Sequence, residues 1–256
     1  MANEGRKLPE GYPAGSLRGS PVDLRIPPTE LKELLPQQLA LLQVSREAMS
    51  HAGMSEAGEN ATVLVGLGLD PRSSLFHLRW MLPERARAWL KELGIEARLE
   101  DVDQWIQQLQ DEVSDPLDAN RVMGALGSVA ASRLARDLGA GGPSHTVSND
   151  DMGGFRALEQ AVTSLREGNS GTAVVAAADF GLDIISRVSD SREGQPQRSD
   201  AAVALILRRL EDAIADGQKV YGVIEGTGCA AADSFVSGSR TLPAERATQL
   251  AMRHNT

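Results

Sequence analysis

The chain has 256 residues, 41% hydrophobic and 24% charged, the balance of a soluble globular protein large enough for one large or two small domains. A formal charge of −9 with no basic block argues against a general phosphate-backbone binder, because nothing is concentrated to release counterions from nucleic acid. The single cysteine, Cys229, leaves no disulfide framework or multi-cysteine metal site, and His51, His77, His145 and His254 lack metal-ligand spacing. No window approaches the ~20 apolar residues of a membrane span, and the N-terminus lacks a charged segment followed by an apolar run. The expectation is a cytoplasmic chain without metal, membrane or nucleic-acid partners.

Residues 1–23 are rich in Gly, Pro and Ser without a periodic apolar face, and read as a flexible arm. Pro27, Pro28 and Thr29 then open a helix with Leu31, Leu34, Leu35, Leu39 and Leu42 at helical spacing, broken at Pro36 and ending near Gly53. Ala61–Leu67 is a continuous apolar run of strand length, suited to a sheet covered on both faces. The following GLGLDP holds Gly66, Gly68 and Asp70 but neither a third glycine nor a P-loop lysine, so it is a poor phosphate loop. From Leu75 to Leu109 the pattern is helical, with Trp80, Trp89 and Trp105 placed to anchor packing between helices. Asn120 to Leu138 is a helix whose small residues permit close approach.

Gly142 to Leu165 combines a short β-prone segment (Ser144 to Ser148), a polar corner and an amphipathic helix from Phe155 that Gly168 stops. Asn149, Asp150 and Asp151 suit a turn or a helix N-cap. A corner of this form can display a nucleophile at the positive end of a helix, and it can equally be an acidic cap without chemistry. Thr172–Asp179 and Ala201–Leu207 are further apolar strands, with a short apolar piece from Leu182 to Val188 and a polar loop between them. Arg208 to Asp216 reads as a short helix, Val220 to Ala230 as a strand with glycine bends, and Pro243 as the start of a last helix. Strands that are apolar throughout, alternating with helices, indicate an α/β layered domain.

Several of these pieces together resemble a known family. RIPPTELKELLPQQLALLQVSREAM (25–49), VLVGLGLD (63–70), FHLRW (76–80), NRVMGALGSVAASRLARDLGAGGPSHTVS (120–148), ALEQAVTSLREG (157–168) and AVALILRRLEDAIADG (202–217) resemble, in order and spacing, the ketosynthase domain of polyketide and polyunsaturated-fatty-acid synthases. FHLRW and the helical insert at about 75–115 look most like the ketosynthase and chain-length-factor-like domains of polyunsaturated-fatty-acid-type synthases. The resemblance covers residues 24–256 and implies a thiolase-like αβαβα layered fold, mainly its N-terminal half, incomplete at both ends.

Ketosynthases carry a cysteine at the elbow, where the helix dipole lowers the thiol pKa and the thiolate accepts an acyl group from a carrier-protein thioester. The resemblance places Asp151 at that position, with Asn149, Asp150 and Met152 as its elbow neighbours. The family's two histidine motifs have no counterpart before Thr256, and Cys229 lies in a different motif, where a small buried role fits better than a nucleophilic one. The implied role is a non-condensing, chain-length-factor-like subunit that dimerises with itself or with a ketosynthase. It would bind no cofactor directly and meet its acyl substrate on the phosphopantetheine of an acyl carrier protein. The alternatives are an acyl-carrier-protein-dependent acyltransferase or decarboxylase half of a split ketosynthase, and a truncated inactive fragment.

Overall fold

The computed structural model describes residues 24–68, 70, 73–181, 184–193, 199–230 and 247–252. The arm at 1–23, most of the segment around Pro243 and the last four residues lie outside the described residues.

Four strands, β1 (Ala61–Leu67), β2 (Ser144–Val147), β3 (Thr172–Asp179) and β4 (Ala201–Arg208), form one sheet in the order β2-β1-β3-β4. β1 runs parallel to both neighbours, with Val63 opposite Ser144 on one side and Val174 on the other; β4 is antiparallel to β3. All seven residues of β1 are buried, which is why its sequence is apolar without alternation: helices cover both faces.

On one face lie α1 (Pro28–Leu31), α2 (Pro36–His51) and α6 (Ala130–Leu138), preceded by α5 (Ala119–Ala125) and a 3₁₀ turn (Gly127–Val129). Leu41, Leu42, Met49 and Leu134 pack there against Val63, Val65, Leu67 and Val174. On the other face α7 (Gly153–Arg166) sets Ala157, Ala161 and Leu165 against Leu64, Ala173 and Val175. The result is the expected α/β sheet with helices on both sides.

A buried polar network fixes the first face. The Asp137 carboxylate, fully buried, accepts from Arg46 Nε at 2.6 Å and Nη2 at 2.8 Å and from the Arg25 backbone N–H at 2.9 Å. Removing so buried a carboxylate takes from Arg46 and from the Arg25 N–H the partner they share at Asp137. Beside it, Arg133 donates to Gln38 Oε1 at 2.6 Å, and Gln38 Nε2 donates to the Gly124 carbonyl at 2.8 Å.

Between β1 and α5 stand α3 (Ser73–Glu92) and α4 (Leu99–Val113), a helical hairpin with a small core of its own, Ala86, Val102 and Ile106. The helical stretch expected over 75–109 forms as these two helices, divided at Gly94, whose φ of +66° takes the left-handed conformation that ends α3. The tryptophans do not anchor this core as expected: Trp80 is 83% exposed, and Trp89 and Trp105 are 43% and 36% exposed. Arg79 and Arg87 instead tie the two helices together through Asp111 and Asp103.

Three further expectations change. The helix over 120–138 is interrupted at Leu126, where ψ of 108° breaks the ladder between α5 and the 3₁₀ turn. The apolar piece from Ile184 and the first polar residues after it form α8 (Ile184–Glu193), with 182–183 and 194–198 outside the described residues, and the short helix after β4 forms as α9 (Leu210–Ala215). Val220 to Ala230 is not a strand. Its first residues, Val220 to Ile224, lie across a cleft from β4 without pairing to it, Gly222, Gly226 and Gly228 weaken the segment's β preference, and Tyr221 and Val223 are 72% and 58% exposed.

Candidate functional site

The corner between β2 and α7 sits at the carboxyl ends of the parallel strands, where open α/β sheets gather ligands. Three glycines bring it there. A Cβ on Gly66 of β1 would stand 2.4 Å from the Gly154 nitrogen, one on Gly153 would be 3.1 Å from the Val147 carbonyl oxygen, and one on Gly154 would be 3.0 Å from the Ala177 Cβ. The N-terminus of α7 therefore rests directly on the backbone of β1 and β2 and on β3. The glycine that resembled a fragment of a phosphate loop is a packing surface. Its sequence signal was available: a lone glycine inside an apolar strand, matched by a Gly-Gly pair at a helix start.

The chain turns from β2 into α7 through Asn149, Asp150, Asp151 and Met152. The Met152 N–H donates to the Asn149 carbonyl at 2.9 Å and the Gly153 N–H to the Asp150 carbonyl at 3.2 Å. Asp150 takes φ of +40°, a left-handed backbone that costs an ordinary side chain about 1–2 kcal/mol and that Asp tolerates better than most. The turn expected here forms, but the side-chain cap does not. The N-cap position is Met152, and among the described residues no side chain bonds the first N–H groups of α7. Those donors and the helix dipole are directed at the corner.

Asn149, Asp150, Asp151 and Met152 are all exposed, and among the described residues neither carboxylate makes a hydrogen bond or ion pair. Phe155, one turn into α7, is 63% exposed beside them. The candidate site residues are thus contiguous and displayed at the head of a buried helix.

No acid–base partner attends them among the described residues. The His145 ring nitrogen is engaged with Gln160 at 2.8 Å, and His51 lines a separate cleft beside β4. Cys229 lies against α7 further along, its Sγ 3.6 Å from Glu159 Oε2, with Arg156 bonded to the same carboxylate at 2.7 Å. Burial and the negative charge of Glu159 push the Cys229 thiol above its ordinary pKa, and Arg156 only partly offsets them. A thiol held protonated is a poor nucleophile.

Next to the corner is a cavity of about 270 Å³ at the carboxyl ends of β1 and β2, lined by Leu35, Leu67, Asp70, Ser128, Thr146 and Ser148 among others. Asp70 is buried within it. No cluster of metal-ligating side chains occurs among the described residues, and no helix among them is long and apolar enough to cross a membrane.

Residues 21–194 match the family model for the beta-ketoacyl synthase N-terminal domain. A component of the polyunsaturated fatty acid synthase of Thraustochytrium sp. is 30% identical over 219 residues, 79% of this chain and 10% of that protein. A component of the phenolphthiocerol/phthiocerol polyketide synthase of Mycobacterium tuberculosis is 27% identical over 221 residues, 79% of this chain and 9% of that protein. The chain therefore spans about a tenth of the length of these relatives. Among solved structures, the PfaC keto synthase-chain length factor superposes with a TM-score of 0.67 at 22% identity, covering 76% of this chain and 22% of that one. A ketosynthase from module 6 of the bacillaene synthase of Bacillus subtilis superposes with a TM-score of 0.56 at 20% identity, over 85% of this chain and 34% of that one.

Proposed function

The chain belongs to the beta-ketoacyl synthase family, and from that premise we propose that it is a non-condensing, chain-length-factor-like partner subunit in polyketide or fatty-acid biosynthesis. The observation that carries this reading is Asp151. It occupies the corner at the head of α7, in the place that the family resemblance gives to the nucleophilic cysteine.

The chemistry follows from the exchange of sulfur for a carboxylate. Acyl transfer to a thiolate gives a thioester that survives until condensation. Acyl transfer to a carboxylate would give a mixed anhydride, which water cleaves, so an exposed Asp151 does not store an acyl group. The head of α7 offers N–H donors and a positive dipole end, and the residue this chain carries beside them is an exposed carboxylate, Asp151. The preserved scaffold around this corner suits a partner that shapes a neighbouring catalytic subunit. Its acyl substrates would arrive on the phosphopantetheine of an acyl carrier protein.

The test is reconstitution with a cysteine-bearing ketosynthase of the same pathway and its carrier protein. The expected result is a complex and a changed product length relative to the ketosynthase alone. Absence of both a complex and any change in product would overturn the proposal.

A further inference from the structure

Across the sheet from the Asp151 corner, a cleft of about 990 Å³ runs along Ala204–Arg209 and is closed on its far side by residues 218–224. It lies beside the first residues of β3, at the opposite end of the parallel strands from the corner. Its size is that of a small-molecule site. Much of its lining is apolar: Val162 and Leu165 from α7, Leu205 from β4, and Val220, Tyr221 and Val223 from the closing segment. Leu205, Val220, Tyr221 and Val223 are all exposed, and exposed apolar side chains gathered in one groove, rather than scattered singly, mark a binding surface.

Charge in the cleft runs against that of the chain. The whole carries −9, yet Arg166, Arg208, Arg209 and Lys219 line the groove against one carboxylate among the described residues, Glu211. Arg208 and Arg209 are each held by a carboxylate outside it, Asp216 at 2.6 Å and Asp212 at 2.7 Å. Arg166 and Lys219 hold none among the described residues: Arg166 donates to the Glu225 carbonyl at 2.9 Å, and the Lys219 ammonium stands 4.5 Å from the centre of the Tyr221 ring. Two cations without counter-ions beside an apolar groove are complementary to an anion with an apolar tail.

We propose that this cleft binds a single-chain amphipathic carboxylate, a free alkyl acid, with its tail along Ala204–Arg209 and its head group in the field of Arg166 and Lys219. A peptide strand would have to pair with the edge of β4, and residues 218–224 already stand across it. An alkyl chain asks no hydrogen bonds of the walls, and six residues of extended backbone give it about 17 Å of groove. A neutral apolar ligand would leave both cations unused. The site shares no residue with the Asp151 corner and is independent of the subunit role proposed above.

Isothermal titration calorimetry of the full chain with decanoate tests the site, with decan-1-ol and decylammonium as head-group controls. Decanoate is expected to bind once per chain, about tenfold or more tighter than decan-1-ol, with decylammonium weaker still. From octanoate to dodecanoate each added methylene should tighten binding by about twofold to fourfold. The double variant Arg166→Gln/Lys219→Gln should bring decanoate down to the affinity of decan-1-ol, whereas Arg166→Lys/Lys219→Arg should keep the preference for the acid. Val223→Asp should weaken decanoate by about tenfold. All three side chains are exposed, so these variants leave the fold intact. No binding of decanoate, an affinity flat with chain length, an acid no tighter than the alcohol, or binding that the double Gln variant leaves unchanged would each overturn the proposal.

Discussion

β1 and the α3–α4 hairpin are neighbours in the chain and opposites in construction. β1 buries all seven residues between two layers of helices, and its Gly66 carries the head of α7 on bare backbone. α3 buries only Leu82 and Ala86 of its 20 residues, and the hairpin's core is three side chains with Leu90 and Leu109 beside them. The difference separates what holds the fold from what is mounted on it. The sheet with α2, α6 and α7 is one cooperative body that positions the corner, whereas the hairpin is a local unit tied by the exposed Arg87–Asp103 pair, of small individual worth, and by the half-buried Arg79–Asp111 pair.

The largest effect should come from filling the β1–α7 contact. Gly66→Val places a branched side chain where even a Cβ meets the Gly154 nitrogen at 2.4 Å, and the loss should be about 3 kcal/mol or more, read by urea denaturation. An unchanged midpoint would show that α7 does not rest on β1. Ile106→Ala removes most of a buried side chain from the hairpin core at a cost of about 2 kcal/mol. Hydrogen exchange should show that loss confined to residues 73–113 while β1 stays protected. If both regions lose protection together, the hairpin is part of the cooperative body.

Smaller effects are expected at the corner and on α7. Asp150→Val at φ of +40° should cost about 1–2 kcal/mol, whereas Asp150→Gly should stay within about 1 kcal/mol of wild type, in thermal melts. Equal behaviour of the two variants would mean that the left-handed corner is unstrained. Glu159→Gln removes a charge that raises the Cys229 pKa and leaves Arg156, which lowers it. The thiol pKa therefore falls, the thiolate fraction at a given pH rises, and alkylation of Cys229 near neutral pH should speed up by about threefold. An unchanged rate would place Cys229 outside the influence of that carboxylate.

Much of the sheet was legible because burial on both faces leaves an unmistakable apolar run: Ala61–Leu67 and Thr172–Asp179 form with the expected bounds. The break at Pro36 and the β2–α7 corner followed from proline and glycine chemistry in the same way. What was not legible depends on partners distant in sequence. Val220 to Ala230 has strand-like composition, but among the described residues no strand pairs with it, and α8 runs from the apolar piece into the polar residues that follow it. Trp80 fits an amphipathic pattern yet faces solvent, because the hairpin closes on alanine, valine and isoleucine. At the corner, Asn149, Asp150 and Asp151 announced a turn, but the role of Gly66 as its floor became visible only once β1 and α7 were in contact.

The central claim is that the corner keeps the architecture of a nucleophile site without its covalent chemistry. The most direct measurement is the intact mass of the protein after incubation with an acyl thioester donor, for wild type and for Asp151→Cys. The wild-type mass should not change, and the cysteine variant, its thiol facing the N–H donors at the head of α7, should gain one acyl group. A stable adduct on the wild-type chain, or an Asp151→Cys chain that remains unmodified, would contradict it.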